Sequence, residues 1–229
     1  MYEDSFPFGL EQDSLANSLG AAIPNRSLML VEGDIGGGKS LIAQRLAYGL
    51  AENGTKVALV TTELTTRGWL EQVASIGYSM SDYIDKGQFL LLSRFGVLTE
   101  EVEVEITIED LLSNEGLKAA DFVIIDRASQ LIPEGTNPSS FLSAIRRFTA
   151  EGRTLMLCID TDEIEPSLLR EIKGSAEVVL GLLASTQGGQ LNRTLAVTRF
   201  LRAAGPVQAR IGWRVEPSMG FIVDITAVS

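Results

Sequence analysis

Five runs of consecutive apolar residues punctuate the chain, at positions 28–32, 57–61, 89–92, 122–126 and 155–159. Short runs that do not alternate with polar residues suit strands covered on both faces. Between them the apolar positions fall at helical spacing. Leu41, Ala43, Leu46, Ala47 and Leu50 make one stripe, ended by Gly54, while Phe141, Leu142, Ile145 and Phe148 make another, opened after Pro138 and closed by Gly152. A further helix is expected from about Thr66 to Ile76, with Gly77 at its end. Strand and helix alternating in this way predict βαβ units around a mainly parallel sheet.

Beyond Glu177 the rhythm changes to strands alone, at 178–180, 194–198, 209–213 and 221–225, with Gln187-Gly188-Gly189-Gln190 as a hairpin turn. These predict antiparallel strands that extend the parallel core. Residues 101–108 alternate charged and apolar side chains in the manner of an edge strand. No internal repeat or long linker divides the chain, so a single α/β domain over residues 1–229 is expected.

Composition adds exclusions. The chain is 45% hydrophobic and 21% charged, the profile of a folded chain and not of a disordered one. No apolar run approaches the roughly 20 residues of a membrane-spanning helix, and the first residues are acidic where a signal peptide is basic. A cytoplasmic protein without direct membrane insertion is expected. The single cysteine, Cys158, lies within an apolar run and reads as a small buried hydrophobe; one cysteine and no histidine argue against a zinc site. A net charge of -11 argues against a passive nucleic-acid binder. Yet residues 178–215 contain no Asp or Glu, while Arg193, Arg199, Arg202, Arg210 and Arg214 all fall there, so a local cationic surface is available.

Gly33-Asp34-Ile35-Gly36-Gly37-Gly38-Lys39-Ser40 matches the phosphate-binding loop in full, follows an apolar strand and, with Leu41, opens an amphipathic helix. The glycines let backbone N–H groups turn onto the phosphates of ATP, Lys39 supplies a cation to them, and the Ser40 hydroxyl is a ligand for Mg2+. The positive end of the helix dipole adds to the attraction. Asp126 ends the fourth apolar run, where a carboxylate reaches the magnesium through water; the alternative for it is a helix N-cap. Glu63 follows the second run and reads either as a solvated loop carboxylate or as the group that orients the attacking water. Arg199 and Arg202 read either as solvated edge-strand residues or as arginines that reach a neighbouring subunit's γ-phosphate. Arg146 and Arg147 read as a solvated or subunit-contact face.

The segment from Leu15 to Pro24, continued by Ser27 to Gly33, resembles the KaiC branch of RecA-like ATPases. Within that branch the resemblance is greatest to the FlaH (ArlH) family, the accessory ATPases of the archaeal flagellum or archaellum. Thr61-Thr62-Glu63-Leu64-Thr65-Thr66 and Arg214-Val215-Glu216-Pro217-Ser218-Met219-Gly220 are the more selective segments. The resemblance implies a RecA-like P-loop fold that binds ATP at the cytoplasmic membrane face of the archaellum motor and works with the motor ATPase FlaI. The acid-free, arginine-bearing stretch separately predicts a homo-oligomer promoted by ATP, a ring for which the hexamer is one size left open. Two departures argue for weak hydrolysis. Active members of the branch carry two adjacent glutamates where this chain reads Glu63-Leu64, and their Lys-x-Arg element appears here as Arg199-Phe200-Leu201-Arg202. The competing reading is a DNA-acting RecA-like recombinase or repair ATPase, against which the net charge speaks. A self-phosphorylating clock protein of the same branch carries two such domains in tandem, against one here.

Overall fold

The computed structural model describes residues 4–96, 106–187 and 190–224. Its strands in chain order are β1 (Ser5–Pro7), β2 (Ala22–Pro24), β3 (Leu28–Gly33), β4 (Val57–Thr61), β5 (Phe89–Ser93), β6 (Phe122–Asp126), β7 (Thr154–Asp160), β8 (Val178–Gln187), β9 (Gln190–Phe200), β10 (Arg210–Glu216) and β11 (Gly220–Asp224). The α-helices are α1 (Leu15–Ser18), α2 (Lys39–Glu52), α3 (Thr66–Ser75), α4 (Ser81–Asp85), α5 (Ile108–Ser113), α6 (Glu115–Lys118), α7 (Pro138–Ala150) and α8 (Pro166–Ser175).

Nine strands form one sheet in the order β11-β10-β9-β8-β3-β7-β6-β4-β5. The pairs from β8 through β5 are parallel, and the pairs from β8 to β11 are antiparallel. The five predicted core strands all form. Their continuous apolar runs have a simple cause, since successive side chains enter opposite cores. Met29, Val31, Val57, Leu59, Phe122, Ile124, Met156 and Cys158 face the core under α2 and α3. Leu28, Leu30, Ala58, Val60, Val123, Ile125, Leu155 and Leu157 face the other, under α5 to α8. Cys158 is fully buried, as a small apolar residue would be. The predicted helices end at Gly54, Gly77 and Gly152, all at positive φ.

Two elements differ from expectation, and one pair of strands was not foreseen. The run at 178 opens a sixth parallel strand, because α8 intervenes after β7 and returns β8 alongside β3 in the same direction. That helix left only a thin apolar stripe in the sequence, for Leu168 and Ile172 are its only buried residues. In the segment 101–108, residues 101–105 lie outside the described residues, while Thr107 caps α5 through a reciprocal bond pair with Asp110, so Ile108 begins a helix and not a strand. The N-terminal β1 and β2 pair with each other and stand apart from the large sheet. Among the described residues, no helix is long and apolar enough to cross a membrane.

Candidate phosphate-binding site

In register across the sheet, Gly33 stands opposite Asp160 and Thr61 opposite Asp126, so four parallel strands deliver their last residues to one edge. The carboxyl edge of such a sheet is where α/β proteins bind ligands. From Gly33 the chain turns through the glycine-rich loop into α2. Gly38 precedes the helix at φ 100, and a Cβ added there would meet the Trp213 ring at 2.5 Å. Both the backbone conformation and the neighbour therefore demand glycine.

Lys39 folds back under the loop. Its Nζ donates to the carbonyls of Gly33 and Asp34 at 2.9 Å each, and to Asp160 Oδ1 at 2.5 Å. The Ser40 hydroxyl donates to Asp126 Oδ1 at 3.1 Å and lies 3.5 Å from Glu63 Oε2. Asp126 is buried, and burial pushes its carboxyl up to about 6; the charge of Glu63 acts in the same direction, while the Ser40 hydroxyl and the Lys39 charge pull it back. Arg127 follows in left-handed backbone (φ 54, ψ 52) and donates to Glu63 at 2.8 Å and Glu163 at 2.7 Å.

Of the sequence-predicted residues, Ile35, Gly36, Gly38, Lys39, Ser40, Leu41, Glu63 and Asp126 line one cleft of about 240 Å3, with Gly33, Asp34 and Gly37 completing the loop behind them. Arg199 and Arg202 lie elsewhere. Because β9 runs antiparallel to β8, Phe200 pairs with Val178 at the opposite edge of the sheet. There Arg199 donates to the Gly174 carbonyl at 2.9 Å and Arg202 to that of Asn25 at 2.7 Å. Any contact of theirs with nucleotide would be one between neighbouring subunits. Arg146 donates to the Ser175 hydroxyl at 3.3 Å.

Three lining residues went unassigned in the sequence: Arg127, Asp160 and Arg193. Asp160 had a signal, since it closes an apolar strand just as Asp126 does. Arg193 was visible only as part of the acid-free stretch; it pairs across strands with Trp213 and lies over its ring at 5.5 Å. That stretch does not form one cationic face. Arg193 turns to the cleft, Arg214 is neutralised by Glu216 and Asp224, and Arg199 and Arg202 hold carbonyls at the far edge.

A family model described as the KaiC ATPase matches residues 13–208. The archaeal flagellar ATP-binding protein FlaH of Methanocaldococcus jannaschii is 29% identical over 223 residues, covering 96% of each chain. Its counterpart in Sulfolobus acidocaldarius is 26% identical over 222 residues, covering 92% of this chain and 93% of that one. The crystal structure of the flagellar accessory protein FlaH from Methanocaldococcus jannaschii superposes with a TM-score of 0.89 at 28% identity, covering 97% of this chain and all of that one. With a P-loop at the carboxyl edge of a mainly parallel sheet and a family match over most of its length, the chain belongs to the KaiC family of RecA-like ATPases, and within that family it is similar to FlaH from end to end.

Proposed function

We propose that the chain binds magnesium–ATP in this cleft and serves as a regulatory or assembly subunit of the archaeal flagellar machinery, acting with the motor ATPase FlaI and turning ATP over slowly. The convergence of Lys39, Ser40 and Asp126 behind a complete phosphate loop carries this reading. Lys39, Arg127 and Arg193 face Glu63, Asp126 and Asp160, so the cleft's cations are already balanced by carboxylates. ATP has to displace some of these acids or bring a cation with it. Among the described residues no group of three acidic or soft side chains stands ready to hold a metal alone. Magnesium suits that arrangement, because it binds through phosphates and few protein oxygens. Ser40 would hold it directly and Asp126 through water. Once bound, it would neutralise charge on the terminal phosphates.

Slow turnover follows from one feature: Leu64 packs against the core where a second carboxylate would be needed. The cleft's about 240 Å3 is below the roughly 300–1,000 Å3 of pockets that enclose a whole ligand. It takes the phosphate tail, and the homo-oligomer in this reading rests on Arg199 and Arg202 at the opposite edge of the sheet. The names of the FlaH relatives support the archaeal flagellar setting.

Titration with a labelled ATP analogue tests the binding site: Lys39→Ala is expected to lose at least about tenfold in affinity while remaining folded. Unchanged affinity would overturn the assignment. Phosphate release is expected well below about 10 per second and insensitive to single-stranded DNA; strong stimulation by DNA would favour a recombinase. The ATP-bound form is expected to bind FlaI more tightly than the ADP-bound form, since a ligand shifts two states only by its differential affinity for them. Equal affinity with ATP, ADP and no nucleotide would exclude the switch.

A further inference from the structure

Arg127 carries a left-handed backbone that side chains bearing a Cβ rarely adopt, and such a residue persists only where its surroundings hold it. What holds it is a clasp of three carboxylates. Nη1 meets Glu63 at the end of β4, Nη2 meets Glu163 beyond β7, and Nε lies 3.3 Å from Asp160 Oδ2. The last contact is poorly directed, for Nε is buried without a hydrogen-bond acceptor. Glu163 is pinned in turn by the Ser129 hydroxyl at 2.6 Å. Asp160 is shared, its other oxygen holding Lys39. The guanidinium thus links the two acids that occupy the cleft's working groups: Asp160 holds Lys39, and Glu63 faces Ser40.

We propose that Arg127 reads the γ-phosphate within its own chain, exchanging the Glu63 carboxylate for phosphate oxygens, so that ATP opens the clasp and ADP leaves it closed. This rests on the reading of the cleft as an ATP site. The placement argues for the terminal phosphate specifically. Read as the carboxylate that orients attacking water, Glu63 stands beyond the γ-phosphate, and Arg127 touches it. The glycine loop and Lys39 approach the β- and γ-phosphates from the helix side, so Arg127 meets the terminal phosphate from the opposite one. Arginine is suited to the exchange because its fork fits carboxylate and phosphate alike, which an ammonium does not. The unsatisfied Nε is a donor with nothing to lose on the change. Freed from Arg127, Glu63 and the β4–α3 connection behind it would then differ between the ATP and ADP states, giving a partner something to recognise.

The test is calorimetric titration of a non-hydrolysable ATP analogue and of ADP, with magnesium, into wild type, Arg127→Gly, Arg127→Lys and Lys39→Ala. Glycine accepts left-handed backbone at no steric cost, so the first variant removes the guanidinium while relieving the strain. Arg127→Asn, also tolerant of that conformation, replaces it should the glycine variant not fold. Wild type is expected to prefer the ATP analogue by about tenfold or more, the worth of one charge-assisted bond to phosphate. In Arg127→Gly the preference should fall to near unity with ADP affinity within about threefold of wild type. Arg127→Lys keeps the charge but not the fork, and its preference should fall nearly as far. A preference that survives in Arg127→Gly, is fully kept by Arg127→Lys, or is absent from wild type would overturn the proposal; so would equal weakening of both nucleotides, the mark of a merely structural role. Lys39→Ala separates the two readings. If it keeps both affinities, the cleft reading itself fails; if it loses both while Arg127→Gly keeps the preference, only the Arg127 proposal fails.

Discussion

Asp126 shows at the scale of one residue what a binding site costs the fold. Its carboxyl is buried beneath Ser40, and its affinity for a proton is raised by that burial to a pKa of about 6. A group that binds a proton more tightly when folded adds stability as pH falls from above 6 toward its unfolded value of 3.8; above 6 the full penalty of the buried charge is present. Asp126→Asn keeps the shape and an acceptor for the Ser40 hydroxyl but carries no charge. The nucleotide-free variant should therefore be more stable than wild type by about 3 kcal/mol near pH 8, with most of the advantage gone near pH 4. Urea unfolding at the two pH values measures this. The same variant should lose magnesium-dependent ATP affinity, because the water that reaches the metal loses its anionic acceptor. An advantage independent of pH would mean that burial of charge is not the cause.

At the scale of elements, the phosphate loop is held in place by parts distant in sequence. From the C-terminal strands, Trp213 lies against Gly38 and stacks on Phe221, with ring centroids 4.9 Å apart. From the N-terminus, Asp13 grips Arg45 in the middle of α2, with Nε–Oδ2 at 2.6 Å and Nη2–Oδ1 at 2.8 Å, both side chains essentially inaccessible. The third nitrogen donates to the Phe8 carbonyl at 3.0 Å. The approach is so close that a Cβ at Gly49 would stand 2.4 Å from that carbonyl, which explains a glycine in mid-helix. Removing one partner of a fully buried ion pair strands the other, a loss of about 3–5 kcal/mol. Asp13→Ala is expected to destabilise by that amount, read from thermal or urea unfolding, whereas a loss under about 1 kcal/mol would show the clasp to be peripheral. Since α2 begins at Lys39, loosening it should also weaken nucleotide binding.

On the scale of the whole molecule, the cleft and the far-edge arginines argue for assembly. One edge of the sheet offers a small cleft for phosphates, and the opposite edge carries Arg199 and Arg202, while the chain as a whole has a net charge of -11. Complementary surfaces of this kind favour a defined partner arrangement. ATP is expected to raise the mass seen by light scattering, and the Arg199→Ala, Arg202→Ala double variant to remain smaller at micromolar concentration. Because each arginine also holds a backbone carbonyl of its own chain, melting of the isolated variant must be compared first. A wild type that stays monomeric with ATP would remove the idea of an arginine acting between subunits.

The parallel core, the loop from Gly33 to Ser40 and the carboxylates at Glu63 and Asp126 were legible in the sequence. Each depends on a local rule: apolar runs make covered strands, glycines permit the turn, and a strand's last residue faces the binding edge. Residues 13–208 carry enough of the family pattern for the fold to be read from resemblance as well. The direction of β8, by contrast, depended on α8, a helix with only two buried side chains. The clasp around Arg127 was invisible because its partners lie 64, 33 and 36 residues away, at Glu63, Asp160 and Glu163. Trp213 reaches Gly38 only because the antiparallel strands β9 to β11 fold back beyond β8, the neighbour of β3. Local sequence determines which residues can bind phosphate. Tertiary structure decides which acids and arginines surround them, because charge acts through space and the chain brings distant strand ends to one edge.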